Sequence, residues 1–503
     1  MKLNYKRTIL VGFAFFLISA FWQAYDAIVP LALNNHFGLS DTISGVVMSV
    51  DNVLAVFMLP IFGAISDRVI TKFGKRTPFI VIGTVAAVLS FTLLFVVNGL
   101  QLNALADEGV IDDYNEAQVA YDDTVDFLND SYDDGLISED ERDAGIDAAV
   151  EIFDAQKEEF RDRALALTLE NIWPLVAFIG VLLIVLVAMA TFRSPAVALM
   201  PDVTIKPLRS KGNAIINLMG TAGGIIVLAF SSIFGISGNL YMSYVGYVIA
   251  TCVVMVVGLA IFIATVKERS WVADMEADTA RLGIEDKEEE LGADAHHRKL
   301  GKAEMRSLLL ILASVALWYI GYNSITSKYS VYSTNVLGVD YGLTLIVAQA
   351  AAIVSYIPVG IIASKLGRRK TILAGVAMLA SAFFIGNFIN AGANGLVMYP
   401  IFALAGIGWA TINVNSFPMV VELAKGGEVG KYTGYYYTAS MAAQIVAPIL
   451  SGALYDLFTM RAMFFLFGTV FVAASFVTMF FVKHGDSKPE AQGALEALAG
   501  ADD

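Results

Sequence analysis

Two aspartates lie inside long apolar stretches of the sequence, Asp26 in the first and Asp51 in the second. A carboxylate in the middle of a membrane helix costs about 2.5 to 3.5 kcal/mol on insertion scales, so such a group faces a polar interior. In antiparallel neighbouring helices both carboxylates would lie roughly 12 to 14 Å below the same rim. We predict that they bind a cation, either a proton or a sodium ion held between them. A structural polar contact is the alternative.

Amide and aromatic side chains recur along several apolar stretches. Hydrogen-bonding groups beside flat apolar faces suit a sugar in a concave site. For each residue, ordinary helix packing is the alternative interpretation. The candidate substrate-binding residues are Trp22, Gln23, Tyr25, Asn217, Tyr319, Tyr322, Asn323, Gln349, Trp409, Asn413, Asn415, Tyr436 and Gln444.

Membrane helices are the elements that must position these residues. The 503-residue chain is 57% hydrophobic and only 16% charged, with a mean hydropathy of +0.66, which is typical of a protein solvated by lipid. Runs of roughly 20 apolar residues can cross a hydrocarbon core of about 30 Å. Twelve such runs occur, near 8–33, 42–65, 79–97, 172–192, 214–234, 241–266, 308–327, 343–363, 372–388, 396–421, 434–454 and 462–482.

The distribution of Lys and Arg predicts the orientation of these runs. With a cytoplasmic N-terminus, 27 of the 33 basic residues fall in cytoplasmic segments. Because basic residues favour the cytoplasmic side, we predict a multi-pass protein of the cell membrane with both termini inside.

An acidic insertion, 98–171, separates the third and fourth runs. It holds 22 Asp and Glu against four Arg and Lys, a local charge of −18 in a chain of net charge −14. Gly135 and a capping box from Ser138 to Glu141 predict an extracellular helical hairpin. The segment 130–141 also resembles a calcium-binding loop, although Tyr132 is a poor ligand there. We favour the capped turn over calcium, and an unknown partner could bind this surface.

Internal repetition divides the chain into two six-helix halves, 1–266 and 307–484. NHFGLS at 35–40 is repeated as NVLGVD at 335–340, and a basic turn, 63–79, is repeated in shorter form at 363–371. A solvated cytoplasmic linker, 267–306, and a disordered tail, 485–503, complete the predicted organisation. Related halves facing each other would enclose a central cavity.

The motifs SDR and GKRTPF in the basic turn, with RSPAVALMPDVTIKPLRSKGNA at 193–214, resemble the major facilitator superfamily. More narrowly, they are similar to its sugar-transporting branch, with plant-type sucrose carriers and the glycoside, pentoside and hexuronide cation symporters. The resemblance implies an all-α membrane fold of twelve helices and alternating access. The large insertion and the position of Asp51 depart from the family pattern.

The resemblance also implies a cytoplasmic gate at the basic turn, in which Asp67 pairs with Arg193 or with helix ends near Gly430. Ordinary positive-inside charges without a gating role are the alternative. The candidate gate residues are Asp67, Arg68, Arg76, Arg193, Asp202 and Glu422.

These patterns predict a secondary active transporter that imports a sugar or glycoside with a proton or sodium ion. Its partners are the small-molecule substrate, the coupling ion and the lipid bilayer. We expect no cofactor, resident metal, nucleic acid partner or enzymatic activity, because no phosphate-binding loop or metal-ligand cluster occurs. A drug or metabolite exporter of the same fold is one alternative. A transporter-like sensor whose ectodomain binds a partner is the other.

Overall fold

A computed structural model describes residues 3–205, 208–282, 301–389, 395–423 and 429–484, and within them the chain is helical with no β-strand. The predicted all-α class is confirmed. The helices are α1 Tyr5–Leu31, α2 Asp41–Arg68, α3 Thr77–Asp107, α4 Val110–Asp133, α5 Glu139–Glu170, α6 Trp173–Asp202, α7 Arg209–Ile233, α8 Val245–Thr265, α9 Glu268–Leu282, α10 Lys302–Thr326, α11 Tyr341–Leu366, α12 Arg368–Gly386, α13 Met398–Val421, α14 Val429–Leu457 and α15 Met460–Phe480.

Ten helices in the described ranges are long and apolar enough to cross a membrane: α1 to α3, α6 to α8, α10, α12, α14 and α15. Large apolar side chains such as Phe57 and Leu89 are about two-thirds exposed on their outer faces, as expected for contact with lipid. α11 contributes a shorter apolar segment, Tyr341–Tyr356. α13 is not among these ten helices, and it carries two asparagines in its second half. The count of twelve crossings stays a prediction.

The two halves share an unusual helix ending. α1 continues into a π-helical turn, Ala32–His36, and the same turn, Ser333–Leu337, precedes α11. Each is followed by a glycine with positive φ, 65° at Gly38 and 67° at Gly338, a backbone conformation that glycine adopts without strain. The repeat read from the sequence at 35–40 and 335–340 is therefore a repeat of structure.

Two helix pairs join the halves. α2 packs against α14, and α7 packs against α11. At Gly45 an added Cβ would lie 2.2 Å from the Pro448 carbonyl oxygen, and at Gly342 it would lie 2.3 Å from that of Leu228. Both contacts are next to the hairpin α4–α5, so we call this the hairpin end of the bundle. The opposite end, with the loop 69–76, is the hinge end.

The acidic insertion folds as the predicted hairpin. α4 ends before Gly135, which has a φ of 72°, and Ser138 and Glu141 form the reciprocal capping box that opens α5. The turn between α4 and α5 therefore carries the capping box read from the sequence. Glu141, the last ligand position of the calcium-loop interpretation, is engaged by Ser138, and the described residues contain no group of three His, Cys, Asp or Glu side chains that could hold a metal ion.

The hairpin begins later than the sequence predicts, because α3 extends to Asp107 instead of ending near Asn98. The His36 Nδ1–H donates a hydrogen bond to Asn98 Oδ1 at 2.9 Å, and Gln101 Nε2 donates to the His36 carbonyl. These buried amides extend the helix beyond its apolar run. Further along, Leu105 shares an apolar cluster with Tyr114 of α4, Phe153 and Phe160 of α5, and Tyr241 of the α7–α8 loop.

The predicted linker begins as a helix, α9. The Glu268 carboxylate accepts hydrogen bonds from the backbone N–H groups of Lys75, Arg76 and Thr77 at 2.6 to 2.9 Å and so caps α3. Gly74, with a φ of 121°, leaves room for this carboxylate. Residues 283–300 of the linker and the predicted disordered tail, 485–503, lie outside the described residues, and the last linker residues, 302–306, already belong to α10.

Candidate functional site

A cavity of about 680 Å³ lies between the two halves. Helices α1, α6 and α7 of the first half and α10, α11 and α13 of the second contribute most of its wall. The lining extends from Gln23 and Tyr341 near the hairpin end to Asn213 and Tyr356 toward the hinge end. Its volume is in the range of small-molecule sites.

The first-half wall is polar. Asp26, Gln23 and Trp22 of α1 line it beside Asn217 of α7 and Arg193 of α6. Trp22 Nε1 and Asn217 Nδ2 are buried donors without a protein partner in the described part of the chain. They are therefore available to a bound ligand.

Three charged groups meet beside this wall. Asp51 lies within electrostatic reach of both Asp26 and Arg193, and its Oδ1 accepts hydrogen bonds from Asn52 N at 2.5 Å and Asn52 Nδ2 at 2.7 Å. The Arg193 guanidinium is 5.5 Å from the centre of the Trp22 ring, within cation–π range. With both acids ionised the group carries a net charge of −1, so one bound proton makes it neutral.

The second-half wall is aromatic. The rings of Tyr322 and Trp409 stack with their centres 3.6 Å apart and their planes 5° from parallel, and Tyr319 packs edge-on against Trp409 at 5.3 Å. Tyr322 and Trp409 line the cavity. They supply the flat apolar face that the sequence predicts.

A hydrogen-bonded bridge connects the halves across the cavity. Gln349 Nε2 donates to Gln23 Oε1, and Gln23 Nε2 donates to the Tyr341 hydroxyl, each at 3.1 Å. Gln23 and Gln349 are predicted site residues, but Tyr341 was missed. Its only signal in the sequence is its place just after the repeated turn.

Other predicted binding residues lie off the lining. Tyr25 is buried among Phe21 and Trp22. Asn323 and Asn415 donate to the carbonyls of Tyr319 and Thr411, four residues back in their own helices. The structure brings Trp22, Gln23, Asn217, Tyr322, Gln349 and Trp409 together, and leaves Tyr25, Tyr319, Asn323, Asn413, Asn415, Tyr436 and Gln444 outside the lining.

Three of the six predicted gate residues, Asp67, Arg76 and Asp202, form an ion cluster at the hinge end. Arg76 donates to Asp67 at 2.5 Å and to Asp202 at 2.8 Å. Burial alone would lower the pKa of Arg76, but the bonds to Asp202 and Asp67 outweigh it and raise the pKa. Arg68 is exposed. In the second half Arg368 pairs with Glu422, so the repeated hinges carry a repeated ion pair.

Arg193 is not part of this cluster. Because α6 continues as a helix to Asp202, Arg193 lies about two and a half turns inside the bundle. The predicted pairing of Asp67 with Arg193 is therefore not formed, and Gly430 has no described side-chain environment.

Sequence comparison agrees with this architecture. Residues 164–411 and 338–500 match the profile of the "Major Facilitator Superfamily", and residues 10–106 match that of "MFS/sugar transport protein". The chain belongs to the major facilitator superfamily. Members of this superfamily are carriers, so the protein is a multi-pass membrane transporter and not an enzyme, as predicted.

Solved major facilitator structures superpose along nearly the whole chain. The inward open conformation of the xylose transporter XylE from E. coli has a TM-score of 0.59 at 13% identity. The superposition covers 98% of this chain and 99% of the XylE chain. A D-xylose-proton symporter has a TM-score of 0.54 at 14% identity, with coverages of 96% and 99%. A peptide transporter in complex with sulfate has a TM-score of 0.58 at 11% identity, with coverages of 95% and 93%. At these identities the similarity shows the fold.

Among curated relatives, the proton-associated sugar transporter A of Homo sapiens and that of Mus musculus are each 36% identical over 81 residues. The alignment covers 16% of this chain and 10% of either relative.

Proposed function

We propose that the protein is a proton-coupled symporter that imports a sugar across the cell membrane by alternating access. The observation that carries the proposal is the two-sided cavity, with the Tyr322–Trp409 stack on one wall and Asp26, Gln23 and Asn217 on the other. Sugars present apolar faces and hydroxyl groups, and this cavity offers partners for both. Relatives named as a xylose transporter and as proton-linked sugar carriers support the same substrate class.

The charged group beside the cavity favours a proton over sodium as the coupling ion. Arg193 lies near Asp51, so with both acids ionised the group carries a net charge of −1, and one bound proton is enough to neutralise it. A proton on Asp26 or Asp51 also needs no coordination shell of oxygen atoms, whereas a metal ion does. The proposed cycle binds proton and sugar together and releases them at the opposite membrane face.

Uptake into proteoliposomes tests the proposal. A panel of sugars, with D-xylose as the first, is offered under an imposed proton or sodium gradient. Asp26→Asn and Asp51→Asn each remove one titratable group, so we expect both to abolish uphill accumulation while at least one still exchanges sugar down its gradient. Asp133→Asn, at an exposed hairpin position, is the matched control and should transport normally.

Full proton-driven accumulation by both Asp26→Asn and Asp51→Asn would show that these acids do not couple transport to the proton gradient. Accumulation driven by a sodium gradient alone would show that sodium, and not the proton, is the coupling ion. If gradients drive solute out only, the exporter alternative holds. If no solute moves in either direction, the sensor alternative holds.

A further inference from the structure

The acidic hairpin is anchored to the first half through the π-helical turn that ends α1. Thr168 of α5 donates its hydroxyl to the Phe37 carbonyl at 3.1 Å, and Gln101 Nε2 donates to Thr168 Oγ1 at 2.9 Å and to the His36 carbonyl at 3.1 Å. All four residues are buried. The base of α5 is therefore part of the first half.

The turn at Gly38 brings the backbone of α5 against the bundle. An added Cβ at Gly38 would lie 2.4 Å from the backbone nitrogen of Leu165 and 2.5 Å from the carbonyl oxygen of Arg161. Helix α5 thus rests directly on the turn, with no side chain between them.

One side chain of α5 reaches the other half. Lys157 Nζ donates to the Asn335 carbonyl oxygen at 2.9 Å and pairs with Asp154 of its own helix at 3.2 Å. Its side chain is only 19% exposed, lies 4.5 Å from the Phe153 ring centre, and burial lowers its pKa. A desolvated ammonium group held this way makes a strong, charge-assisted hydrogen bond.

Asn335 belongs to the contact that closes the hairpin end. Its side-chain amide exchanges hydrogen bonds with that of Asn35, at 2.8 and 3.2 Å. Nearby, the buried Lys328 pairs with Asp41 at 3.0 Å. Asp456 of α14 accepts hydrogen bonds from the backbone of Asp41 and Thr42, each at 2.8 Å. The repeated turns of the two halves therefore meet directly below the hairpin.

We propose that the hairpin helps to close the gate at this end, and that Lys157 is the positioning residue that connects the hairpin to the second half. Alternating access moves one half against the other, so the hairpin, fixed to the first half, must release Asn335 when this end opens. The contact therefore stabilises the state that is closed at the hairpin end. The proposal rests on alternating access, but not on the identity of substrate or ion.

Thiol labelling in lipid nanodiscs tests the proposal without a substrate. The reporter is Ser44→Cys in a Cys252→Ser background. Ser44 is fully buried near the start of α2, and its hydroxyl lacks a partner in the described part of the chain, so the change removes no hydrogen bond. Lys157→Ala should raise the rate of maleimide labelling about fivefold, because one charged hydrogen bond no longer favours the closed state. Lys157→Arg keeps a donor and should label like the parent.

Arg163→Ala is the matched control. It removes a cation from the same helix, but in the described part of the chain Arg163 bonds to Asp113 and the Glu108 carbonyl, both in the first half. A second reporter, Thr84→Cys, is buried inside the first half and detects loss of fold. Unchanged labelling in Lys157→Ala would overturn the proposal, as would an equal rise in Arg163→Ala or an equal rise at Thr84→Cys.

Discussion

At the scale of single residues, the two walls of the cavity carry different chemical groups. The acids and the arginine lie on or beside the first-half wall, and the stacked rings lie on the second. Amide groups from both walls meet in the Gln23–Gln349 contact. A ligand bound between the walls would touch both halves, which is how its binding can be linked to their relative movement.

The aromatic stack gives the first residue-scale prediction. Trp409→Ala removes the ring that Tyr322 stacks on, so we expect sugar affinity to fall about tenfold, a loss of about 1.4 kcal/mol. Trp409→Phe keeps an apolar face and should lose less. Isothermal titration calorimetry on the purified protein, with the sugar found in the uptake panel, measures both.

Tyr436→Phe is the control for this prediction. Tyr436 is buried, shares a hydrogen bond with Ser416 at 2.9 Å and does not line the cavity. Its substitution should leave sugar affinity unchanged. If Tyr436→Phe weakens binding as much as Trp409→Ala does, the aromatic wall is not the sugar-binding surface.

Residue types identified the site only in part. Helical spacing cannot distinguish an asparagine that faces a cavity from one such as Asn415, which turns back to its own helix. Tyr341 was missed because its role depends on a partner, Gln23, in the other half of the chain. The family resemblance assigned Arg193 to the hinge, but α6 continues to Asp202, so Arg193 lies inside the bundle.

At the scale of elements, the hinge is held by one buried side chain. Arg76 is 8% exposed and bonds to two acids, Asp67 and Asp202, as well as to Ser66. Arg76→Ala leaves these groups without their donor. We therefore expect the free energy of unfolding to fall by about 2 to 4 kcal/mol. The midpoint of thermal unfolding of the purified protein should fall by several degrees.

Arg68→Ala provides the comparison, because Arg68 is an exposed basic residue in the same turn. It should unfold within about a degree of the parent, since exposed charges contribute little to stability. Equal losses in the two variants would mean that the turn needs positive charge in general and not the Arg76 cluster.

Local patterns predicted elements better than they predicted element boundaries. The hairpin, its turn at Gly135 and its capping box follow from residues close together in the chain, so sequence was sufficient. The end of α3 depends on Asn98 and Gln101 finding partners near His36, more than 60 residues away. The hinge cap by Glu268 joins residues even farther apart, 191 between Glu268 and Thr77, and was not predicted.

At the scale of the whole molecule, internal repetition was the most reliable guide. The repeated turns became repeated π-helical ends, and the repeated hinges became repeated Arg–carboxylate pairs. The insertion has no counterpart in the second half, yet it contacts that half through Lys157. The orientation of the molecule therefore determines on which face of the membrane this contact closes the cavity.

Orientation of the molecule gives the last prediction. The insertion 98–171 carries a charge of −18, and with the predicted crossings 27 of the 33 basic residues fall on the opposite side, so we expect the hairpin end to face outward. Asp133→Cys, in a Cys252→Ser background, should react with an impermeant thiol reagent in intact cells. Phe73→Cys, 72% exposed in the hinge turn, should react only after lysis. The reverse pattern would show that the molecule has the opposite orientation in the membrane. The hairpin contact would then lie on the cytoplasmic side and would gate release of the substrate instead of its entry.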